Sequence, residues 1–138
     1  MSQENVEIVR RWWASLEAGE LPFDLTDENV RIDNIEQPVI EGAYHGHDGL
    51  RRFFRDWHEA WTNIEYDFEE LIDAGDEHVI AVVTRRARGR ASGVEVERPF
   101  ALVWMLREGK VVRVVWFLSR AEALEAVGLS EQDAHADS

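Results

Sequence analysis

Three ionisable side chains in this sequence stand next to apolar residues and could carry acid/base chemistry: Asp33, His58 and Tyr66. A carboxylate that faces a pocket can act as a general base. A histidine can act as an acid or a base near neutral pH, and a phenol in an apolar pocket can donate a hydrogen bond to an oxyanion. The structural alternative for Asp33 is a solvated carboxylate paired with Arg31. For His58 it is a place at the boundary of the core, and for Tyr66 it is packing within the core.

Asp33 and its neighbour Asn34 compete for one place in such a pocket. Successive side chains of a strand point to opposite faces, and Val30, Ile32 and Asn34 share a face. This pattern puts Asp33 with Arg31 on the other face, and it favours Asn34, whose amide could hold a ligand carbonyl. A β-bulge at the end of the strand would reverse the assignment. Both residues therefore stay candidates.

The elements that must position these side chains are two helices rich in aromatic residues, followed by a long strand meander. Apolar residues recur at helical spacing over roughly residues 3–18 and 48–60, and strand-like segments follow over roughly residues 62–118. Short polar turns separate the strands. A meander of this kind can curve around the helices and enclose a hollow. We therefore predict a ligand pocket lined by Trp12, Asn34, Phe54, Trp57, Val103 and Trp116.

The last two strands of the meander are apolar on both faces, which is not expected of an antiparallel sheet with one face in water. They span residues 94–107 and 111–118. Helices would cover one face, and a second copy of the chain would cover the other. The pattern predicts a homodimer through the outer face of the sheet, with contacts from Leu102, Trp104, Val115 and Phe117.

The composition excludes several classes of function. The formal net charge of −13 disfavours nucleic acids and anionic membranes as partners, and it favours a neutral or weakly polar ligand over a polyanion. The chain has no cysteine, so a thiolate nucleophile, a disulfide or a zinc ribbon is impossible. His45 and His47 flank Gly46, but no third ligand stands at metal-binding spacing in that segment. We predict neither a metal nor a cofactor.

The length of 138 residues predicts one domain. We assign it to residues 1–129 and expect a polar C-terminal tail over residues 130–138. The N-terminal residues lack the basic and then apolar layout of a signal peptide, and no apolar run approaches the length of a membrane-spanning helix. We therefore expect a cytoplasmic protein.

Four segments of the sequence, together with the order of the predicted elements, resemble one protein superfamily. They are ENVEIVRRWWASLEAGE from Glu4, YHGHDGLRRFF from Tyr44, LIDAGD from Leu71 and GKVVRVVWFLSRAEALEAVGL from Gly109. The chain is similar to the SnoaL-like branch of the nuclear transport factor 2 superfamily. The resemblance implies an α+β cone, in which N-terminal helices pack in the concave face of a curved antiparallel sheet. This fold hosts both enzymes and binding proteins, so it does not by itself imply an activity.

Ketosteroid isomerase, a member of the same superfamily, tests which chemistry the resemblance allows. That enzyme needs a carboxylate base and two oxyanion donors, a tyrosine and a protonated aspartic acid. In this chain the resemblance puts Trp12 and Ala101 at the donor positions, and Asp33 or Asn34 at the position of the base. Both donors are missing, so ketosteroid isomerisation is not expected.

Two hypotheses about function follow. In the first, the protein binds a small, neutral, ring-containing molecule and acts on it as a cofactor-free acid/base enzyme of the cyclase, isomerase or dehydratase type. Asp33 would be the base, with Tyr66 or His58 as its partner. In the second, the protein is a non-catalytic module that binds a ligand or serves only to dimerise. The two differ in whether an ionisable side chain faces the cavity.

Overall fold

Two long helices stand before the last four strands of the chain, and a short helix follows these strands. A computed structural model of the protein describes residues 2–34, 43–75 and 77–128. The predicted polar tail over residues 130–138 lies outside these ranges. The elements are α1 (Ser2–Glu17), a 3-10 helix (Phe23–Leu25), β1 (Thr26–Asn34), β2 (Ala43–His45), α2 (Gly46–Ala60), β3 (Trp61–Asp73), β4 (His78–Gly89), β5 (Glu95–Arg107), β6 (Lys110–Phe117) and α3 (Arg120–Ala126).

The described strands form one sheet in the order β2-β1-β6-β5-β4-β3. From β6 to β3 each strand is antiparallel to its neighbour, as the meander predicts. The sheet as a whole is nevertheless mixed, because β1 runs parallel to β6. A parallel pair needs a long crossover connection, and here α2 and the three strands of the meander lie between the two partners. The predicted α+β fold is confirmed. The prediction of a wholly antiparallel sheet is corrected, because β1 and β6 are parallel.

One face of the sheet, which we call the inner face, packs against α1 and α2. Cross-strand partners in an antiparallel pair point to the same side, and the register pairs Leu102 with Trp116 and Trp104 with Val114. All four side chains are buried in the core that includes Val9, Trp12 and Trp13 of α1 and Leu50 and Phe53 of α2. The prediction that Leu102 and Trp104 face outward is therefore wrong.

The opposite face, which we call the outer face, carries Val103 and Val115, which are paired in the register. Val103 belongs to a second apolar cluster and does not point towards the helices that fill the inner face. Its predicted place in the pocket is therefore wrong. The physical reason is that β5 is apolar on both faces, so alternation alone could not decide which set points inward.

Helix α3 covers part of the outer face. The hydroxyl of Ser119 accepts a hydrogen bond from the backbone nitrogen of Glu122 at 3.1 Å and so caps the start of this short helix. Ala123 and Leu124 then pack on the outer cluster of Ile72, Ile80, Ala101 and Val103. The last helix of the chain therefore covers part of the outer face that a partner was expected to cover. This is one reason why β5 is apolar on both faces.

No helix within the described residues is long and apolar enough to cross a membrane. Within the same residues, no three histidine, aspartate or glutamate side chains come together as a set of metal ligands.

Removal of the Leu124 side chain should destabilise the protein. Leu124 lies on the buried side of α3 and is 1% exposed. Leu→Ala at such a site costs about 2–5 kcal/mol through lost burial and the cavity left behind. We expect Leu124→Ala to lower the free energy of unfolding by that amount in urea titrations. Val94→Ala is the control, because Val94 is 58% exposed in a turn. Equal effects of the two substitutions would contradict the described packing of α3.

Candidate functional site

A cavity of about 120 Å³ lies between the two long helices and the inner face of the sheet. Seven of its lining side chains are aromatic, and the rest are mainly aliphatic. The lining residues are Trp12, Trp13, Leu16, Glu17, Ile32, Phe53, Phe54, Trp57, His58, Ile64, Tyr66, Leu102, Val114 and Trp116. Glu17 and His58 are exposed, whereas most of the aromatic rings are buried, so the cavity has a polar mouth and an apolar interior.

Both helices line the cavity with the same spacing. Helix α1 supplies residues 12, 13, 16 and 17, and α2 supplies residues 53, 54, 57 and 58. Two adjacent positions, repeated four residues later, fall on one helical stripe. The strands contribute in the manner of a pleated sheet, as shown by Ile64 and Tyr66 on β3 and by Val114 and Trp116 on β6. The cavity is thus the place where two amphipathic stripes meet one face of the sheet.

Trp116 lies at the centre of the aromatic lining. Its ring centroid is 5.7 Å from that of Trp57, 6.1 Å from that of Phe53 and 6.3 Å from that of Trp13. Tyr66 on β3 is 6.4 Å away on the same measure. One side chain of β6 therefore contacts both helices and the far strand, and its place determines how closely these elements can approach each other.

The polar groups of the inner wall are held by specific hydrogen bonds. The indole nitrogen of Trp57 donates to the hydroxyl oxygen of Tyr66 at 2.9 Å. The indole nitrogen of Trp12 donates to Thr26 at 2.9 Å, which anchors that ring to the start of β1. The indole nitrogen of Trp13 is buried with no hydrogen-bond partner among the described residues. The lining thus contains a hydroxyl that is fixed by a hydrogen bond.

Arg85 is a buried cation directly behind this wall, and the sequence reasoning missed it. Only 1% of the residue is exposed. Its guanidinium lies 4.5 Å from the ring centroid of Trp57, 4.6 Å from that of Phe100 and 5.1 Å from that of Trp61. The register places it opposite Tyr66. The alternation of β4 carried the signal, because Val79, Ala81, Val83 and Ala87 share its face and Arg85 is the one polar residue in that series.

Asp33 lies outside the cavity. Its carboxylate accepts hydrogen bonds from Arg31 at 2.9 Å and from Arg113 at 3.0 Å, and its side chain is 12% exposed. The register pairs Asp33 with Val115, which lies on the outer face. The predicted base therefore does not face the pocket, and the alternative of pairing with Arg31 describes the geometry. Strand alternation places it there, since no bulge interrupts β1 between residues 31 and 34.

His58 lies at the mouth of the cavity, exposed at the end of α2. Its Nδ1 atom is 2.9 Å from the carbonyl oxygen of Phe54, and the two rings are 4.1 Å apart. Glu17 lies at the same mouth, and sequence reasoning did not single it out. The helical stripe that contains Trp12, Trp13 and Leu16 would have included Glu17, but a charged residue at a helix end resembles ordinary solvated surface.

Of the residues predicted to line the pocket, four do so: Trp12, Phe54, Trp57 and Trp116. Val103 does not, as described above. The side chain of Asn34 lies outside the part of the chain that the structure describes, although its backbone pairs with Trp116. Of the three predicted catalytic residues, His58 and Tyr66 line the cavity and Asp33 does not.

The sequence of this chain matches the model of a known protein family. The model of the SnoaL-like domain family matches residues 9–114, which is more than half of the chain. The chain belongs to the SnoaL-like domain family. Among curated proteins, none matches the chain.

Solved structures with the same fold are numerous, and three illustrate the range of this family and its neighbours. An NTF2-like protein of unknown function from Burkholderia pseudomallei is 22% identical, with a TM-score of 0.75 over 91% of this chain and 98% of that one. A putative SnoaL-like polyketide cyclase from Jannaschia is 17% identical, with a TM-score of 0.72 over 91% and 92%. A hypothetical protein with a ketosteroid isomerase-like fold from Catenulispora acidiphila, in complex with trimethylamine, is 16% identical, with a TM-score of 0.68 over 89% and 93%. At these identities the likeness shows the fold alone.

Replacement of the Asp33 carboxylate should reduce stability without changing what the cavity binds. Asp33→Asn removes the charge that two arginines share, and we expect a loss of about 1–3 kcal/mol in the free energy of unfolding, measured in urea. Asp67→Asn is the matched control, because Asp67 pairs with Arg86 at 2.9 Å but is more than half exposed; such a pair contributes less than about 1 kcal/mol. If Asp33→Asn were fully folded and no longer bound a ligand of the wild type, this result would contradict the place of Asp33 outside the cavity.

Proposed function

We propose that this SnoaL-like protein binds a small ring-containing molecule in the cavity between α1, α2 and the sheet. The observation that carries the proposal is the composition of the lining, in which seven aromatic side chains surround an enclosed space of about 120 Å³. Ligand sites in proteins are concave and mostly apolar, with a few polar groups that orient the ligand. The cavity meets this description, and the Catenulispora protein of the same fold gives a case with a bound small molecule.

The volume of the cavity limits the size of the ligand. An engineered cavity of about 150 Å³ lined by apolar side chains binds benzene, so a space of about 120 Å³ has room for about one ring. A tetracyclic ligand would have to extend through the mouth or displace the half-buried Leu16, Phe54 and Ile64 that border it. We therefore propose a monocyclic ligand rather than a steroid-sized one.

The inner wall supports a ligand with a polar substituent. Trp57 fixes the hydroxyl oxygen of Tyr66 at the wall of the cavity, where it can form a hydrogen bond with a carbonyl or hydroxyl group. A ring with one acceptor oxygen fits this feature.

Binding, rather than turnover, is the function that this geometry supports. The catalytic hypothesis depended on Asp33 as the base, and Asp33 faces away from the cavity. His58 and Tyr66 line the cavity, and their roles as acid or base stay predictions.

A panel of monocyclic probes tests the proposal. Phenol, benzyl alcohol and cyclohexanone present one ring and one oxygen, and a tetracyclic ketone serves as the oversized comparison. A ligand at 100 times its dissociation constant stabilises the folded state by about 2.7 kcal/mol, which should raise the melting temperature by several degrees. We expect the monocyclic probes to produce this shift and the tetracyclic ketone to produce little. Binding of the tetracyclic compound alone would overturn the size argument.

Filling the cavity should remove binding and leave the fold intact. Val114 is buried and lines the cavity, so Val114→Phe projects a ring into the open space. Overpacking normally costs about 1–3 kcal/mol, and we expect the low end of that range because the ring replaces a void. Val112→Phe is the control, since Val112 is half-buried on the same strand and does not line the cavity. Unchanged probe binding in Val114→Phe, measured by calorimetry, would contradict the assigned site.

Homodimerisation and a cytoplasmic location stay predictions. Of the four residues predicted to form the dimer contact, Val115 and Phe117 do not belong to the inner core. Val115 is only 9% exposed in the single chain and can add little contact area, whereas Phe117 is half-buried. Leu118 follows Phe117 and is 47% exposed. We propose a contact through Phe117 and Leu118. Sedimentation at micromolar concentration should show a dimer for the wild type and a monomer for Leu118→Asp, and a wild-type monomer would refute the proposal.

A further inference from the structure

The charged groups around the cavity narrow the class of ligand. We propose that the mouth of the cavity recognises a protonated amine, so that the ligand is a small cyclic compound whose ring lies inside and whose ammonium group faces Glu17. This inference rests on the proposed function, because it describes the same cavity. It adds a cationic substituent to the ring that the proposed function places in the cavity.

Glu17 is the one acidic side chain among the described residues that line the cavity, and no lysine or arginine is among them. No described basic side chain forms an ion pair with Glu17 either. A carboxylate is therefore held at the entrance of an aromatic cavity without a described cationic partner. An ammonium group of a ligand would be the natural partner, because a charge-assisted hydrogen bond to a carboxylate is stronger than a neutral one.

The position of Glu17 disfavours a role in stabilising the fold. It is the last residue of α1, and the last turn of that helix contains no basic residue. The C-terminal end of a helix carries a partial negative charge, so a carboxylate there is repelled rather than attracted. Glu17 is also exposed and does not contribute buried apolar area. Its carboxylate is thus better explained by a ligand than by the helix.

His58 adds a second acceptor at the mouth. A carbonyl oxygen can only accept, so the contact between Nδ1 of His58 and the carbonyl of Phe54 requires the proton on Nδ1. In the neutral ring, Nε2 is then left as an acceptor. The mouth therefore offers a carboxylate and an imidazole acceptor together, a combination that suits a group with several N–H donors.

The aromatic lining and the net charge both favour a cationic ligand. The faces of aromatic rings attract cations within about 6 Å, and Phe54 lines the cavity beside His58. The formal charge of −13 raises the local concentration of cations around the molecule. Arg85 lies behind Trp57 at 4.5 Å, so its positive charge disfavours an ammonium group at that part of the wall. The ligand is therefore oriented with its ring inside and its cation outside.

Three probes with one ring and different head groups test the inference: benzylammonium, benzyl alcohol and benzoate. Dissociation constants are measured by calorimetry at low ionic strength. An exposed ion pair together with cation–π contacts is worth about one factor of ten in affinity, so we expect benzylammonium to bind about tenfold more tightly than benzyl alcohol. Benzoate should bind more weakly than the alcohol, because its carboxylate would meet that of Glu17.

Glu17→Gln tests the contribution of the mouth separately from that of the rest of the protein. We expect this variant to lose most of the preference for benzylammonium over benzyl alcohol, because only the cation–π contacts would remain. Glu20→Gln is the matched control, because it removes the same charge from an exposed residue that does not line the cavity. It should keep the preference of the wild type. Both variants should melt at or above the temperature of the wild type, since neither carboxylate is buried.

Each outcome bears on a different statement. Absence of binding for all three probes would overturn the proposed function and this inference with it. Binding of benzyl alcohol without a preference for benzylammonium would overturn the inference alone. If benzoate bound most tightly, the inference alone would also be overturned. Arg85 would then be the group to test as the partner of the carboxylate. A preference for benzylammonium that is undiminished in Glu17→Gln would show that the carboxylate is not its recognition group.

Discussion

The packing of Trp116 against both long helices is the interaction on which the rest of the structure depends. The indole lies within 6.3 Å, centroid to centroid, of rings on α1 and α2 and within 6.4 Å of Tyr66 on β3. Large aromatic side chains bury much apolar area each, and they do so as rigid plates. The same rings form much of the core and much of the cavity lining. The packing that stabilises the fold therefore also shapes the cavity.

The protein handles its charges differently on the two faces of the sheet. On the outer face, Asp33 is shared between Arg31 and Arg113, and both arginines remain half exposed. On the inner face, Arg85 is almost completely buried and is surrounded by the rings of Trp57, Trp61 and Phe100. A buried charge is costly unless its surroundings compensate it, and ring faces supply part of that compensation. This buried positive charge lies next to the cavity, behind the ring of Trp57.

Helix α3 shows how a short segment changes the interpretation of a sheet. β5 is apolar on both faces, and this pattern by itself is equally compatible with a partner subunit and with a further element of the same chain. The structure assigns Ile80, Ala101 and Val103 to a cluster covered by Ala123 and Leu124. The chain's own last helix therefore covers part of the face that a second copy was predicted to cover.

The sequence alone determined the class of fold, because the strong periodicities are local. The aromatic stripe of α1, the stripe of α2 and the alternation of the strands each need only a few neighbouring residues to be recognised. They also sufficed to name Trp12, Phe54, Trp57 and Trp116 as lining residues, since large aromatic side chains on stripes and alternating positions must face the core. The same alternation placed Asp33 beside Arg31, although the sequence offered no means of excluding a bulge.

Only the tertiary structure decided which face of β5 points inward, which charges flank the cavity and how large the cavity is. Leu102 and Val103 are both apolar, so their orientation depends on pairing with Trp116 and Val115, which lie 14 and 12 residues further along the chain, rather than on adjacent residues. Arg85 and Glu17 come from opposite halves of the sequence, and their relation to one cavity exists only after β4 and α1 have packed. Local periodicity is a property of the chain, whereas side-chain register and cavity volume are properties of long-range contacts, and these exist only in the folded state.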